Sequence, residues 1–300
     1  MSPTTATGAS QFSLLIQTMR IKQWVKNVFV LSPLLFSLHL YQVNTLLLSI
    51  VGFFLFSLIA SAVYILNDIV DADVDRSHPI KQTRPIASGT LSTGYAAIGI
   101  AVLFVISIGA SLYINAHFAM VLVAYFVLNI VYSYVLKKAV IVDVMTIAAS
   151  FVLRIVAGAA IINVPISEWL LICTSLLALF LGFSKRRHEI TILEQSAQLH
   201  RPVLLEYSTY FLDQMISLVT ASTLICYILY TVDDDTVEKF GSKALLYTTP
   251  FVLYGLFRYY YLVHQKKTGG DPSSEVLADI PLLANVILWA GTVFVILYLS

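Results

Sequence analysis

The chain has 300 residues, of which 58% are apolar and 12% charged, and its 18 Lys and Arg nearly balance 17 Asp and Glu for a formal net charge of +1. An ordinary soluble domain carries about 25% charge, so this chain lacks the polar surface to face water on all sides. The near-neutral balance also leaves no electrostatic footprint for a nucleic-acid partner. Two cysteines, Cys173 and Cys226, lie in apolar runs, which argues against a disulfide scaffold and a cysteine-ligated zinc site.

Residues 1–19 read as a polar N-terminal tail without the features of a cleaved secretory signal. Because a transmembrane helix needs about 20 apolar residues, the stretches free of charge count the spans. The segments 27–67 and 85–136 hold no Asp, Glu, Lys or Arg. Each has room for two spans, with breaks expected near 38–44 and 113–116. Single spans are expected at 139–162, 167–184, 214–232, 244–262 and 280–299. The sequence thus predicts an all-α integral membrane protein, with nine transmembrane helices forming one bundle over residues 20–300. With the N-terminus in the cytoplasm, 15 of the 18 basic residues fall on the cytoplasmic side and only Lys239 and Lys243 on the other, as the positive-inside rule requires.

Most polar side chains sit in two cytoplasmic segments. In the first, 67–89, continuation of the second span through Asp75 places Asp68, Asp71 and Asp75 on one helical face and turns Asp73 away. Phased carboxylates repel one another, and a hard cation such as Mg²⁺ relieves this while taking substrate phosphate oxygens as further ligands. Asn67 adds a neutral oxygen. Lys81 and Arg84 are suited to hold phosphate oxygens that the metal leaves free. Lys22 and Lys26, at i and i+4, are expected on one side of the first span, with Trp24 as an interfacial anchor. Arg154 lies deep in a span, where a charge marks a functional site; its expected partner is Asp143 or a phosphate. The second segment, 184–194, reads as a basic loop containing Lys185, Arg186, Arg187, His188 and Glu189. The acidic stretch 233–239 reads as a solvated turn on the far side.

Nine spans with polar loops after the second and sixth, and an N-D-x-x-D-x-x-x-D motif (Asn67, Asp68, Asp71, Asp75), resemble the UbiA family of intramembrane prenyltransferases. Nearly the whole chain is covered. The resemblance implies a helical bundle with a cytoplasmic cap formed by those two loops, in the plasma (inner) membrane, with its active site facing the cytoplasm. The family's aromatic prenyltransferases carry a second motif, D-x-x-x-D, after the sixth span; here that place reads Lys185-Arg186-Arg187-His188-Glu189. The sequence does not establish whether Glu189 or Glu194 takes over part of that second metal site.

One acidic and one basic site suit two separate phosphorylated ligands, as in the branch of decaprenyl-phosphate phosphoribosyltransferases. The segments 20–34, 78–89, 132–138 followed by Asp143, and 151–159 match that branch. The resemblance then implies transfer of 5-phosphoribose from phosphoribosyl diphosphate (PRPP) to a polyprenyl phosphate in cell-envelope biosynthesis. Asn67, Asp68, Asp71 and Asp75 are expected to hold Mg²⁺, with Asp68 and Asp71 essential to catalysis. Lys22, Lys26, Lys81, Arg84, Tyr132, Lys137, Asp143, Arg154, Lys185 and Arg186 form the substrate-binding pool. The expected partners are these two substrates and membrane lipids, with no nucleic acid; homo-oligomer formation stays open. The alternatives are prenyl transfer from a polyprenyl diphosphate to an aromatic or other small acceptor, and a transporter or lipid-binding protein without chemistry.

Overall fold

The computed structural model describes residues 10–77, 81–193, 204, 206–266 and 272–299. Helices are the only regular elements among them. In order they are α1 (Gln11–Thr18), a 3₁₀ helix (Ile21–Leu31), α2 (Ser32–Phe36), α3 (Val43–Val70), α4 (Ala72–Arg76), α5 (Thr93–Ile114), α6 (Ala116–Tyr134), α7 (Val142–Ile162), α8 (Glu168–Leu193), α9 (Thr209–Val232), α10 (Asp234–Phe240), α11 (Thr249–Gln265), α12 (Pro272–Ala278) and α13 (Ile280–Tyr298). Seven of these, α3, α5, α6, α7, α8, α9 and α13, are long and apolar enough to cross a membrane, so the chain is an integral membrane protein.

The chain breaks where polar residues can end or start a helix. Asn115 stops α5, and its side chain accepts hydrogen bonds from the amides of His117 and Phe118 to start α6. Ser92, Ser208 and Asp279 cap α5, α9 and α13 in the same way. The expected first and eighth spans depart from regular α-helix. The first is the 3₁₀ helix followed by α2, and the eighth is a 3₁₀ turn (Ala244–Thr248) leading into the 17-residue α11.

The first of these departures changes which residues share a face. A 3₁₀ helix repeats every three residues, so residues four apart lie about 120° from each other. Lys22 is therefore exposed while Lys26 is half-buried, and the two do not share the side expected of them. The inward line is Trp24, Asn27 and Val30. Trp24 donates to Ser61 Oγ (3.0 Å) and Asn27 to Ser57 Oγ (3.0 Å) on α3, so the half-buried Trp24 is tied to the bundle. On α7, Asn27 meets Arg154, and a Cβ at Gly158 would stand 2.0 Å from the Val30 carbonyl oxygen. Three residues of 3₁₀ helix and four of α-helix both rise about 6 Å. The steps 24 to 27 against 61 to 57, and 27 to 30 against 154 to 158, therefore stay in register along both neighbours.

Two cores flank α7. One gathers Val30, Phe56, Ile59, Phe118, Leu122 and Ala157, and the other Val144, Phe180, Leu212, Ile216, Leu256 and Tyr259. Part of the expected polar tail is α1, whose Leu14 and Leu15 pack on a third group around Ile65, Ala96 and Leu103. Residues 184–193 are not a loop: α8 runs through them to Leu193. Helix is possible there because the charges find partners on other helices, described below. The segment 233–239 is likewise no plain turn but α10, capped by Asp233. Burial lowers the Lys239 pKa, and its ammonium lies over the Phe240 ring. His78, Glu194, Arg201 and Lys267 lie outside the described residues.

Candidate active site

The carboxylates of 67–75 sit where α3 passes into α4. Asp71 interrupts the helix at φ −92°, ψ 1°, yet the Asp71 amide still reaches the Asn67 carbonyl (2.9 Å) and the Asp75 amide the Asp71 carbonyl (2.8 Å). The turn count is kept, so Asp68 and Asp75 are buried together, Asp71 is partly buried, and Asp73 faces outward. Each inward acid meets a cation from another segment. Arg84 Nη1 donates to Asp75 (2.6 Å) and Asp68 (3.2 Å), Arg20 pairs with Asp68, and Lys137 Nζ pairs with Asp71. Ser133 on α6 donates to the Asn67 side-chain oxygen. Lys81 opens the short turn whose carbonyl accepts from the Arg84 amide (3.0 Å).

A second charged group joins α7 to α8. Asp143, in the first turn of α7, accepts from Arg186 Nε (2.6 Å) and Tyr207 Oη (2.7 Å). Arg186 is fully buried; it also pairs with Glu189 and donates to Tyr132 Oη (3.4 Å). Its three nitrogens thus face protein acceptors. Lys185 is half-buried beside it. Arg187 and His264 share Asp213 at the start of α9.

Arg154 belongs to neither group. It lies 11 residues beyond Asp143 on α7, a rise of about 16 Å, which rules out the expected pair. Arg154 instead donates to Asn27 Oδ1 (2.9 Å), the Ser150 carbonyl (2.7 Å) and Tyr125 Oη (3.3 Å). The rings of Phe151, Tyr125 and Phe56 lie 4.9, 5.2 and 5.3 Å from its guanidinium carbon. Neutral acceptors and aromatic faces stabilise this buried charge.

The structure thus gathers Asn67, Asp68, Asp71, Asp75, Lys81, Arg84 and Lys137 around one segment and Tyr132, Asp143, Lys185 and Arg186 around another. Lys22 stands outside on the 3₁₀ helix, and Arg154 lies beneath. Sequence reasoning missed Arg20 as a site residue because an α-helical period drew attention to Lys22 and Lys26. It missed Asn27, although Ser57 and Ser61 at i, i+4 within an apolar span were a signal of a polar seam. Nothing in the sequence marked Tyr207.

Comparison with known proteins agrees with this architecture. A family model described as the UbiA prenyltransferase family matches residues 29–276. The decaprenyl-phosphate phosphoribosyltransferase of Mycobacterium tuberculosis is 30% identical, over 93% of this chain and 92% of that protein. That of Corynebacterium glutamicum is also 30% identical, over 95% and 87%. Among solved structures, a UbiA homologue from Archaeoglobus fulgidus bound to GPP and Mg²⁺ superposes with a TM-score of 0.71 at 16% identity, covering 95% of this chain and 99% of that one.

Proposed function

Because this chain belongs to the UbiA prenyltransferase family, we propose that it transfers 5-phosphoribose from PRPP to a polyprenyl phosphate of the decaprenyl-phosphate type and releases diphosphate. The observation that carries this reading is that, among the described residues of the two polar segments, phased acids occur in 67–75 alone. Where a second metal–diphosphate clamp would need a pair of aspartates, α8 presents Lys185 and Glu189, and the nearby acids Asp143 and Glu189 are taken by Arg186. The site therefore serves one metal-held diphosphate and one phosphate held by cations alone. The names of the mycobacterial and corynebacterial relatives support the same assignment.

The residues fit Mg²⁺ in chemistry, since Asn67, Asp68, Asp71 and Asp75 offer only hard oxygens. Among the described residues no three acidic or histidine groups stand close enough to hold an ion alone. This suits Mg²⁺, which takes one or two carboxylates and completes its shell with substrate phosphate and water. One or two carboxylates from among Asp68, Asp71 and Asp75, with the Asn67 oxygen, would hold it, and when bound it would neutralise charge on the leaving diphosphate. Arg20, Arg84 and Lys137, which now donate to these carboxylates, turn their donors to phosphate oxygens at little cost because the charge pairing is conserved. The bond from the ribose anomeric carbon to diphosphate breaks, and a lipid phosphate oxygen bonds to that carbon. A phosphate monoester is anionic near neutral pH, so the site needs no strong general base. Lys26, Lys81 and Lys185 complete the phosphate-binding pool, while Arg154 and Arg186 shape the bundle around it.

The two broken segments also cross the membrane, giving nine spans. The 3₁₀ helix with α2 covers about 30 Å, the thickness of the hydrocarbon core, and the 244–265 segment about 35 Å. The positive-inside asymmetry then turns the acidic segment toward the cytoplasm from the inner membrane.

The test is a Mg²⁺-dependent assay on purified protein in lipid, with ribose-labelled PRPP and decaprenyl phosphate. A parallel run takes a prenyl diphosphate with 4-hydroxybenzoate. Label in the lipid phase that EDTA abolishes is the expected result. A prenylated aromatic product without lipid label would overturn the reading in favour of prenyl transfer.

A further inference from the structure

Ile141 is β-branched, yet it stands at φ 68°, ψ −45°, a backbone region that such side chains avoid. The Val142 amide donates to the Val140 carbonyl (2.8 Å), so Ile141 is the centre of a γ-turn of the positive-φ kind, which is rare and strained. Such a conformation persists only where its surroundings over-determine it, and it tends to mark functional sites.

The Ile141 carbonyl accepts from the Met145 amide (2.9 Å) within α7, and the one side chain that bonds the turn is a phenol. The Ile141 amide donates to Tyr207 Oη (2.6 Å), and the same oxygen donates to Asp143 (2.7 Å). Asp143 in turn holds Arg186 of α8 (2.6 Å). Tyr207, two residues before α9, is itself buried. Burial, and then the bond to the Asp143 carboxylate, push its phenol pKa upward, so it remains a donor through the physiological range. Four residues upstream of the strained turn is Lys137, which pairs with Asp71. The link between them is short and internally bonded, the Ala139 amide reaching the Leu136 carbonyl and the Asp143 amide the Ala139 carbonyl.

We propose that Tyr207 is a positioning residue: it clasps the strained turn at Ile141 and so holds Lys137 against Asp71, setting how tightly the site grips its diphosphate ligand. The proposal rests on the reading above that Asp71 and Lys137 bind PRPP.

Tyr207→Phe keeps the ring and removes the one oxygen. Amide hydrogen exchange across 136–142 should then rise about tenfold, the scale of one lost hydrogen bond. The KM for PRPP should rise by about the same factor with kcat changed less than about twofold. In a Lys137→Ala background the same substitution should add nothing to KM. Tyr210→Phe, at an exposed neighbour, should move neither quantity. Unchanged exchange at 136–142 overturns the clasp. Raised exchange with unchanged KM, or an additive loss in Lys137→Ala, overturns the coupling to the site. Exchange needs no substrate, so a wild-type protein that fails to use PRPP would sink the functional reading while the clasp still stands or falls on exchange alone.

Discussion

Arg84 bridges Asp68 and Asp75 with 28% of its side chain still exposed, whereas Asp143 and Arg186 pair with 0% and 1% exposure. The first arrangement can trade partners. Its cations have access to solvent, and a phosphate oxygen can replace a carboxylate with little net change in charge. The second cannot, because separating a buried pair leaves a charge without compensation. The same two residue types, Arg and Asp, thus make an exchangeable grip in one place and a fixed joint in another, and burial decides which.

Removing one member of the fixed joint should have the largest effect. Asp143→Ala leaves the buried Arg186 with Glu189 as its one carboxylate partner, and stability should fall by about 3–5 kcal/mol, read as a drop in thermal unfolding temperature or loss of monodisperse protein in detergent. Asp68→Ala and Asp71→Ala should do the opposite. The protein should remain folded and inserted, while turnover falls by roughly 10²–10³-fold, as when a group stabilising transition-state charge is lost. Near-wild-type activity in either variant would remove the acidic segment from the chemistry. Gly158→Ala tests the joint between the 3₁₀ helix and α7. Its Cβ would meet a backbone oxygen that cannot rotate away, so overpacking should cost about 1–3 kcal/mol, and unchanged stability would show that the helices can part.

The smallest effect concerns a half-buried pair. Arg258 donates twice to Asp279 at the start of α13 (3.1 and 2.8 Å), and these bonds hold the Asp279 carboxyl below the usual carboxylate range. A lowered folded-state pKa stabilises above the ordinary value and is lost as pH falls through the lowered one. The wild type should therefore lose a small increment of stability only below about pH 4. Asp279→Asn should flatten that part of the melting-temperature profile.

Much of this contrast was hidden from sequence for a physical reason. Spans, breaks and the acidic face follow from local patterns: charge-free runs, Asn115, and the 3- and 4-residue spacing of Asp68, Asp71 and Asp75. Partners do not follow from such patterns. Asp143 or a phosphate is the partner expected of Arg154, and α-helical rise forbids the first; the partners of Asp143 come from α8 and from Tyr207, 43 and 64 residues away. The basic run 185–188 looked like a loop because charges are costly in a helix packed among others, until their counter-ions on α7 and α9 are known. The 3₁₀ winding of 21–31 was the least legible feature. Its amino acids suit an α-helix equally well, and only packing against two neighbours selects the tighter coil.

That winding also sets how the chain tolerates change in length. Deleting one residue from an α-helix turns the remainder by about 100°, but here it turns it by about 120° and withdraws it by about 2 Å. The segment should therefore accept gain or loss only in threes, each matched by four residues on α3 and α7. Any other change would pull Arg20 from Asp68 at one end or lift Val30 from Gly158 at the other.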